Sequence, residues 1–157
     1  VYQESFIVRT KLTPPRPHKH TLPRPRLTRR LLEALDYRLT LVQAGTGYGK
    51  STALAALAGT EYPLVWYHLD REDADPLLFL LHLIHGCRAA LPGLSDAPLA
   101  LLEAWESNRH AAAWTAVVDS LANALAQRTE VPLFLVLDDA HRLNDAAGPI
   151  HILDRLV

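Results

Sequence analysis

The run AGTGYGKS, Ala44 to Ser51, has the residue types that hold a chain of phosphates. Gly45, Gly47 and Gly49 let successive backbone N–H groups turn inward around anionic oxygens. Lys50 supplies a point charge for the outer phosphates, Ser51 is placed to ligate magnesium, and a following helix would add its positive N-terminal end. Ala44 stands where the usual spacing has a first glycine, and a methyl group is tolerated there when φ is negative. The competing dinucleotide spacing, G-x-G-x-x-G, fails because its last glycine would fall on Lys50. A tight glycine turn that binds nothing is the weaker reading, since Gly49, Lys50, Ser51 and Thr52 stand together at a strand-to-helix junction.

A bound magnesium-phosphate group needs a carboxylate as well, and LFLVLDDAH supplies two at the end of an apolar run. Asp138 is the expected magnesium partner, through water, and Asp139 is the candidate to orient or activate an attacking water. Lys50 and Asp139 are therefore the catalytic candidates. His141 has two readings, a sensor of the γ-phosphate or metal shell and a plain surface histidine. The run HLIHGC offers His82, His85 and Cys87, but at about 100° per residue Cys87 lies well round a helix from both histidines. Core packing is the better reading of that run. HKH, His18 to His20, reads as an exposed piece of a tail.

These residues need elements to hold them. Three apolar runs read as strands buried on both faces, at 39–44, 63–69 and 133–137. Between them lie helical patterns. A short helix starts with Thr28 as N-cap and carries Leu31, Leu32 and Leu35 on one face. Pro76 to about Leu91 is apolar on nearly every side, which predicts burial against more protein than this chain contains. From Ala111 to Arg128, Trp114, Val117, Val118, Leu121 and Leu125 share a face, and 92–109 is part loop and part short helix. Ile150, Leu153 and Leu156 fall near helical spacing at the end of the chain. Strands alternating with helices imply parallel βαβ units: an α/β fold with three layers around a parallel sheet, incomplete at its carboxyl end.

The 157 residues suffice for one domain with a real core. Residues 1–30 form a basic, proline-rich arm and 31–157 the domain proper. The net charge of −1 makes no demand for nucleic acid or membrane, yet eight of the 16 Lys and Arg residues lie between Arg9 and Arg30, among five prolines. That composition predicts an extended arm. As a nucleic-acid tail it lacks interleaved aromatics; as a solvated tail it would do nothing; as a clamp it would reach a nucleotide from just ahead of the loop strand. One cysteine excludes an internal disulfide framework and fits a reducing, cytoplasmic setting. With Val1 first and no methionine, the chain reads as a fragment.

In this order, TKLTPPRP, LPRPRL, LVQAGTGYGKST, VWYHLDREDADP and LVLDDAH resemble the amino-terminal ATPase module of the large ATP-binding LuxR-type transcription regulators, the MalT-like group of the STAND class of P-loop NTPases. The resemblance implies a nucleotide site built from Ala44, Gly45, Thr46, Gly47, Tyr48, Gly49, Lys50, Ser51 and Thr52, with Pro23, Arg24 and Arg26 of the arm lining it. DDAH matches the family's Walker B segment with its histidine, His141. ATP, ADP and Mg2+ are the implied ligands. Asp75 and Pro76 would start the helix after the second strand, with no catalytic role for Asp70 or Asp73. Promoter DNA and an inducer would be met through domains not contained here, and self-association would follow ATP. Two other classes stay in view: a P-loop small-molecule kinase or other P-loop ATPase, needing an acceptor pocket and an arginine-rich lid, and a remnant that binds nothing.

Overall fold

The computed structural model describes residues 7–16, 21–108 and 113–157. Among them the sheet has two strands, β1 (Leu64–His68) and β2 (Phe134–Asp138), paired in parallel so that Leu64 faces Phe134 and His68 faces Asp138. Six α-helices surround it: α1 (Pro25–Leu32), α2 (Lys50–Ala55), α3 (Pro76–Ala90), α4 (Ala97–Ser107), α5 (Trp114–Arg128) and α6 (Ala147–Leu156). The side-chain alternation of a strand sorts the core into two bodies. Val65 and Tyr67 enter a large cluster with Phe79, Leu83, Leu121 and Ile152, while Trp66, Phe134 and Val136 meet Leu31 and Leu57 on the other side. Helices thus cover both faces of a small parallel sheet, as expected of an α/β chain.

The expected strand at 39–44 is not one. It pairs with no described strand, and Leu39 and Leu41 are 78% and 81% exposed instead of buried. A strand is stabilised by a hydrogen-bonded neighbour, and the sheet's two strands pair only with each other; Val42 alone leans on the smaller cluster. The helix expected after the loop is also short, because α2 tightens into a 3-10 turn at Ala56–Gly59.

The arm is less extended than its prolines suggest. Arg9–Leu12 form a 3-10 turn, and α1 begins at Pro25 with Arg24, not Thr28, at its N-cap. Proline suits the first helical turn, where its missing N–H has no partner to lose. Thr28 sits inside the helix with Oγ1 bonded back to the Arg24 carbonyl at 3.3 Å. His18, Lys19 and His20 lie outside the described residues.

Helix α3 needs no foreign protein to bury it. β1, α4, α6 and the turn at Arg9–Leu12 all pack on it, and Leu80, Leu81, Leu83 and Ile84 are fully enclosed. Gly86 permits the closest approach, for a Cβ there would lie 3.3 Å from Val65 Cγ1 and 3.4 Å from Leu12 Cδ2. The helix starts as expected: Asp75 accepts from the N–H groups of Leu77 (2.8 Å) and Leu78 (3.2 Å), followed by Pro76. Asp75→Ala is therefore expected to cost about 1 kcal/mol, read as a lowered thermal midpoint, with Asp75→Ser recovering most of it. An unchanged midpoint in the alanine variant would show that packing alone starts this helix.

The 92–109 segment is part loop and part helix, as expected: after 92–96 comes the eleven-residue α4, whose Leu102 and Trp105 are buried. In α6 the core residue is Ile152, flanked by Leu153 and Leu156, whereas Ile150 is exposed. The face expected of α5 holds, with Val117, Val118 and Leu121 buried and Trp114 and Leu125 beside them.

Candidate functional site

The irregular stretch 39–45 leads into a turn at Thr46–Gly47. Gly47 (φ 80°) and Gly49 (φ 76°) occupy the left-handed region, where a side chain would be strained, and a Cβ at either would meet only open space. The loop therefore presents its glycine backbone outward. Lys50, the first residue of α2, folds back to donate from Nζ to the carbonyls of Ala44 (2.7 Å) and Gly45 (3.0 Å). Its ammonium closes the loop and is held by two neutral acceptors, which an anion would outcompete. Tyr48 is exposed, with one edge of its ring against Gly45, and Thr46 and Thr52 are exposed too.

Ser51 joins this loop to the acidic strand end. Its Oγ donates to Asp138 Oδ1 at 2.9 Å, across 87 residues of sequence. Asp138 is buried, and its other oxygen, Oδ2, lies 3.2 Å from His68 Nδ1. The ladder holds this geometry, since His68 is the register partner of Asp138 and Leu69 N–H donates to the Asp138 carbonyl at 2.9 Å. A hydroxyl and a carboxylate side by side beneath a glycine loop are hard oxygen donors of the kind magnesium takes, with water filling its remaining octahedral positions. The residues present fit that ion.

Asp139 comes next, in the left-handed region (φ 60°), rare for a side-chain-bearing residue, and starts the 3-10 turn Ala140–Leu143. His141 Nδ1 stands 3.8 Å from Asp139 Oδ1, and both side chains are solvent-accessible at the rim. Pro23, Arg24 and Arg26 are exposed at the start of α1, and α1 packs on α2, the helix after the loop.

No protein-family profile matches the chain. Individual proteins do. Over 142 residues, 90% of its length, it is 33% identical to the HTH-type transcriptional regulator MalT of Yersinia pestis (strain Pestoides F). It is 34% identical over 140 residues, 89% of its length, to the protein of that name from Cronobacter sakazakii (strain ATCC BAA-894). The chain is similar to one part of the MalT-type regulators. It spans about 15% of the length of these curated relatives.

Within this MalT-like stretch lies a second polar cluster that sequence reasoning did not find. Lys11, expected only as one more cation of the arm, is buried and donates from Nζ to both oxygens of Asp73 (3.0 and 2.9 Å) and pairs with Asp70 Oδ2 at 2.7 Å. Asp73, wholly enclosed, also accepts from Tyr67 Oη at 2.6 Å and from Asp70 N–H at 2.8 Å. Burial pushes the Lys11 ammonium down, but hydrogen bonds and charge from Asp70 and Asp73 outweigh it and leave it raised. Asp70 is lowered: its small burial opposes the charge, and the Lys11 hydrogen bond overrides it. Burial first and the Asp73 contact second push the Tyr67 phenol far up, so it stays a donor.

His82 adds a second attachment for the arm. Its Nδ1 bonds the Leu78 carbonyl at 2.9 Å and its Nε2 accepts from Val8 N–H at 3.3 Å, a pairing that requires the neutral Nδ1–H tautomer. Its ring also lies against Tyr67, tilted by 31° with ring centroids 5.6 Å apart. His82 thus serves packing, as expected, and Cys87 is a core thiol pushed up to about 12 by burial. Among the described residues no His, Cys, Asp and Glu cluster of three or more could hold a metal, and no helix is long and apolar enough to cross a membrane.

Proposed function

We propose that this chain is the ATP-binding, slowly hydrolysing regulatory module of a signal-responsive LuxR-type transcription regulator, with a P-loop NTPase core of the STAND class. The observation that carries the reading is the Ser51–Asp138 hydrogen bond, which brings the glycine loop and the acidic strand end, remote in sequence, to one point. The likeness to MalT-type regulators over most of the chain supports the regulatory context.

In this reading the backbone N–H groups of 45–49 cradle the phosphates, and Lys50 leaves the carbonyls of Ala44 and Gly45 for phosphate oxygens. Ser51 and Asp138 hold magnesium, the latter through water, while Asp139 orients the attacking water and His141 stands where a γ-phosphate would be sensed. Thr52 and Tyr48 complete the loop, and Pro23, Arg24 and Arg26 approach from the arm. Bound magnesium-ATP supplies the γ-phosphate charge whose loss on hydrolysis to ADP distinguishes two states of the module. The ATP state favours self-association and promoter binding by domains outside this chain, which also receive the inducer, in the cytoplasm.

The test is calorimetric titration of the full-length protein with ATP and ADP, with and without magnesium. Saturable binding of both is expected, strengthened by magnesium. Phosphate transfer from ATP to a small metabolite, or melting unaffected by either nucleotide, would sink the reading.

A further inference from the structure

We propose that His68 is a positioning residue for Asp138: its imidazole holds the carboxylate in the orientation that receives a divalent cation beside Ser51. The inference rests on the reading of this site as a magnesium-nucleotide site.

The two oxygens of Asp138 have separate partners, Oδ1 the Ser51 hydroxyl at 2.9 Å and Oδ2 the His68 imidazole at 3.2 Å. A carboxylate only accepts hydrogen bonds, so His68 Nδ1 must carry the hydrogen and donate it. The contact pins Oδ2 and stops the carboxylate rotating about its Cβ–Cγ bond, which leaves Oδ1 directed toward Ser51. Carboxylates that serve metal ions depend on such outer partners for their orientation, and loss of one weakens metal affinity by about 10–100-fold.

The backbone makes the contact a fixed one. His68 and Asp138 are cross-strand partners at the carboxyl ends of β1 and β2, and the Leu69 N–H bond to the Asp138 carbonyl carries the ladder one residue further. With its side chain 48% exposed, His68 has no packing duty that would require an imidazole there.

The test is Mn2+ uptake by the full-length protein in the presence of ATP, read by electron paramagnetic resonance of free Mn2+. Wild type, His68→Ala and His68→Asn are compared, the asparagine amide N–H standing in for the lost Nδ1 donor. His68→Ala is expected to weaken Mn2+ binding about tenfold, with His68→Asn regaining most of the loss. If wild type and His68→Ala bind Mn2+ alike, or if asparagine does no better than alanine, the assignment of His68 falls while the nucleotide site stands. Failure of the wild type to take up Mn2+ with ATP overturns both.

Discussion

Replacing Lys11 by methionine is expected to destabilise the folded protein by about 3 kcal/mol, the lower end of the cost of removing one member of a buried ion pair. Asp73 is wholly enclosed, and without the ammonium its charge keeps the hydrogen bonds of the Tyr67 hydroxyl and the Asp70 N–H, with His82 Nδ1 3.8 Å away. Those two donors are why the lower figure applies. Equilibrium unfolding in urea measures the effect as a shift in midpoint at unchanged slope. Adding Asp73→Asn removes the stranded charge and should return part of the loss. A shift worth under about 1 kcal/mol would mean that the pair behaves like an exposed one.

The same contacts give this difference a pH signature. Lys11 is raised, so its contribution is complete below the ordinary lysine value of 10.5 and is lost as pH climbs through the higher folded value. Asp70 is lowered, so its contribution is complete above 3.8 and is lost as pH falls through the lower folded value. The gap between wild type and Lys11→Met should therefore be flat between these limits and shrink beyond either one. The attachment matters for the site as well, because the loop bearing Asp70 and Asp73 continues directly from His68 and packs against the turn after Asp138.

Lys50→Ala is expected to weaken magnesium-ATP binding by about a hundredfold or more, since hydrogen bonds to a charged partner contribute about 1.5–3 kcal/mol each and Lys50 offers several. Stability should change little. The ammonium bonds two exposed loop carbonyls, Ala44 and Gly45, which water can satisfy. Calorimetry with ATP, paired with thermal unfolding of the same sample, separates the two effects. ATP affinity equal to the wild type would remove Lys50 from the site, and a collapse of the thermal midpoint would make its role structural.

Much of this arrangement was legible before the fold. Apolar runs at 63–69 and 133–137 mark β1 and β2 because buried parallel strands are apolar on both faces, and Asp75-Pro76 marks a helix start through local hydrogen bonding alone. The loop and DD pairs are visible for the same local reason. The stretch 39–44 misled because its composition is that of a buried strand. Composition records what a segment can bury, whereas a strand exists only when a neighbour accepts its hydrogen bonds. The burial of α3 was misjudged in the opposite sense, since its partners are scattered along the chain from Arg9 to Leu156.

By itself, the order of residues determined that the chain carries a glycine-rich run ending in Lys50 and Ser51 and a pair of acidic residues after an apolar run, on an α/β frame. Only the tertiary structure decided that Ser51 meets Asp138, that His68 stands on the other side of that carboxylate, and that Lys11 reaches past the arm's prolines to Asp73. The physical reason is separation. Propensity and periodicity act within a few residues, whereas these contacts join positions 87, 70 and 62 residues apart and arise only when the sheet is assembled.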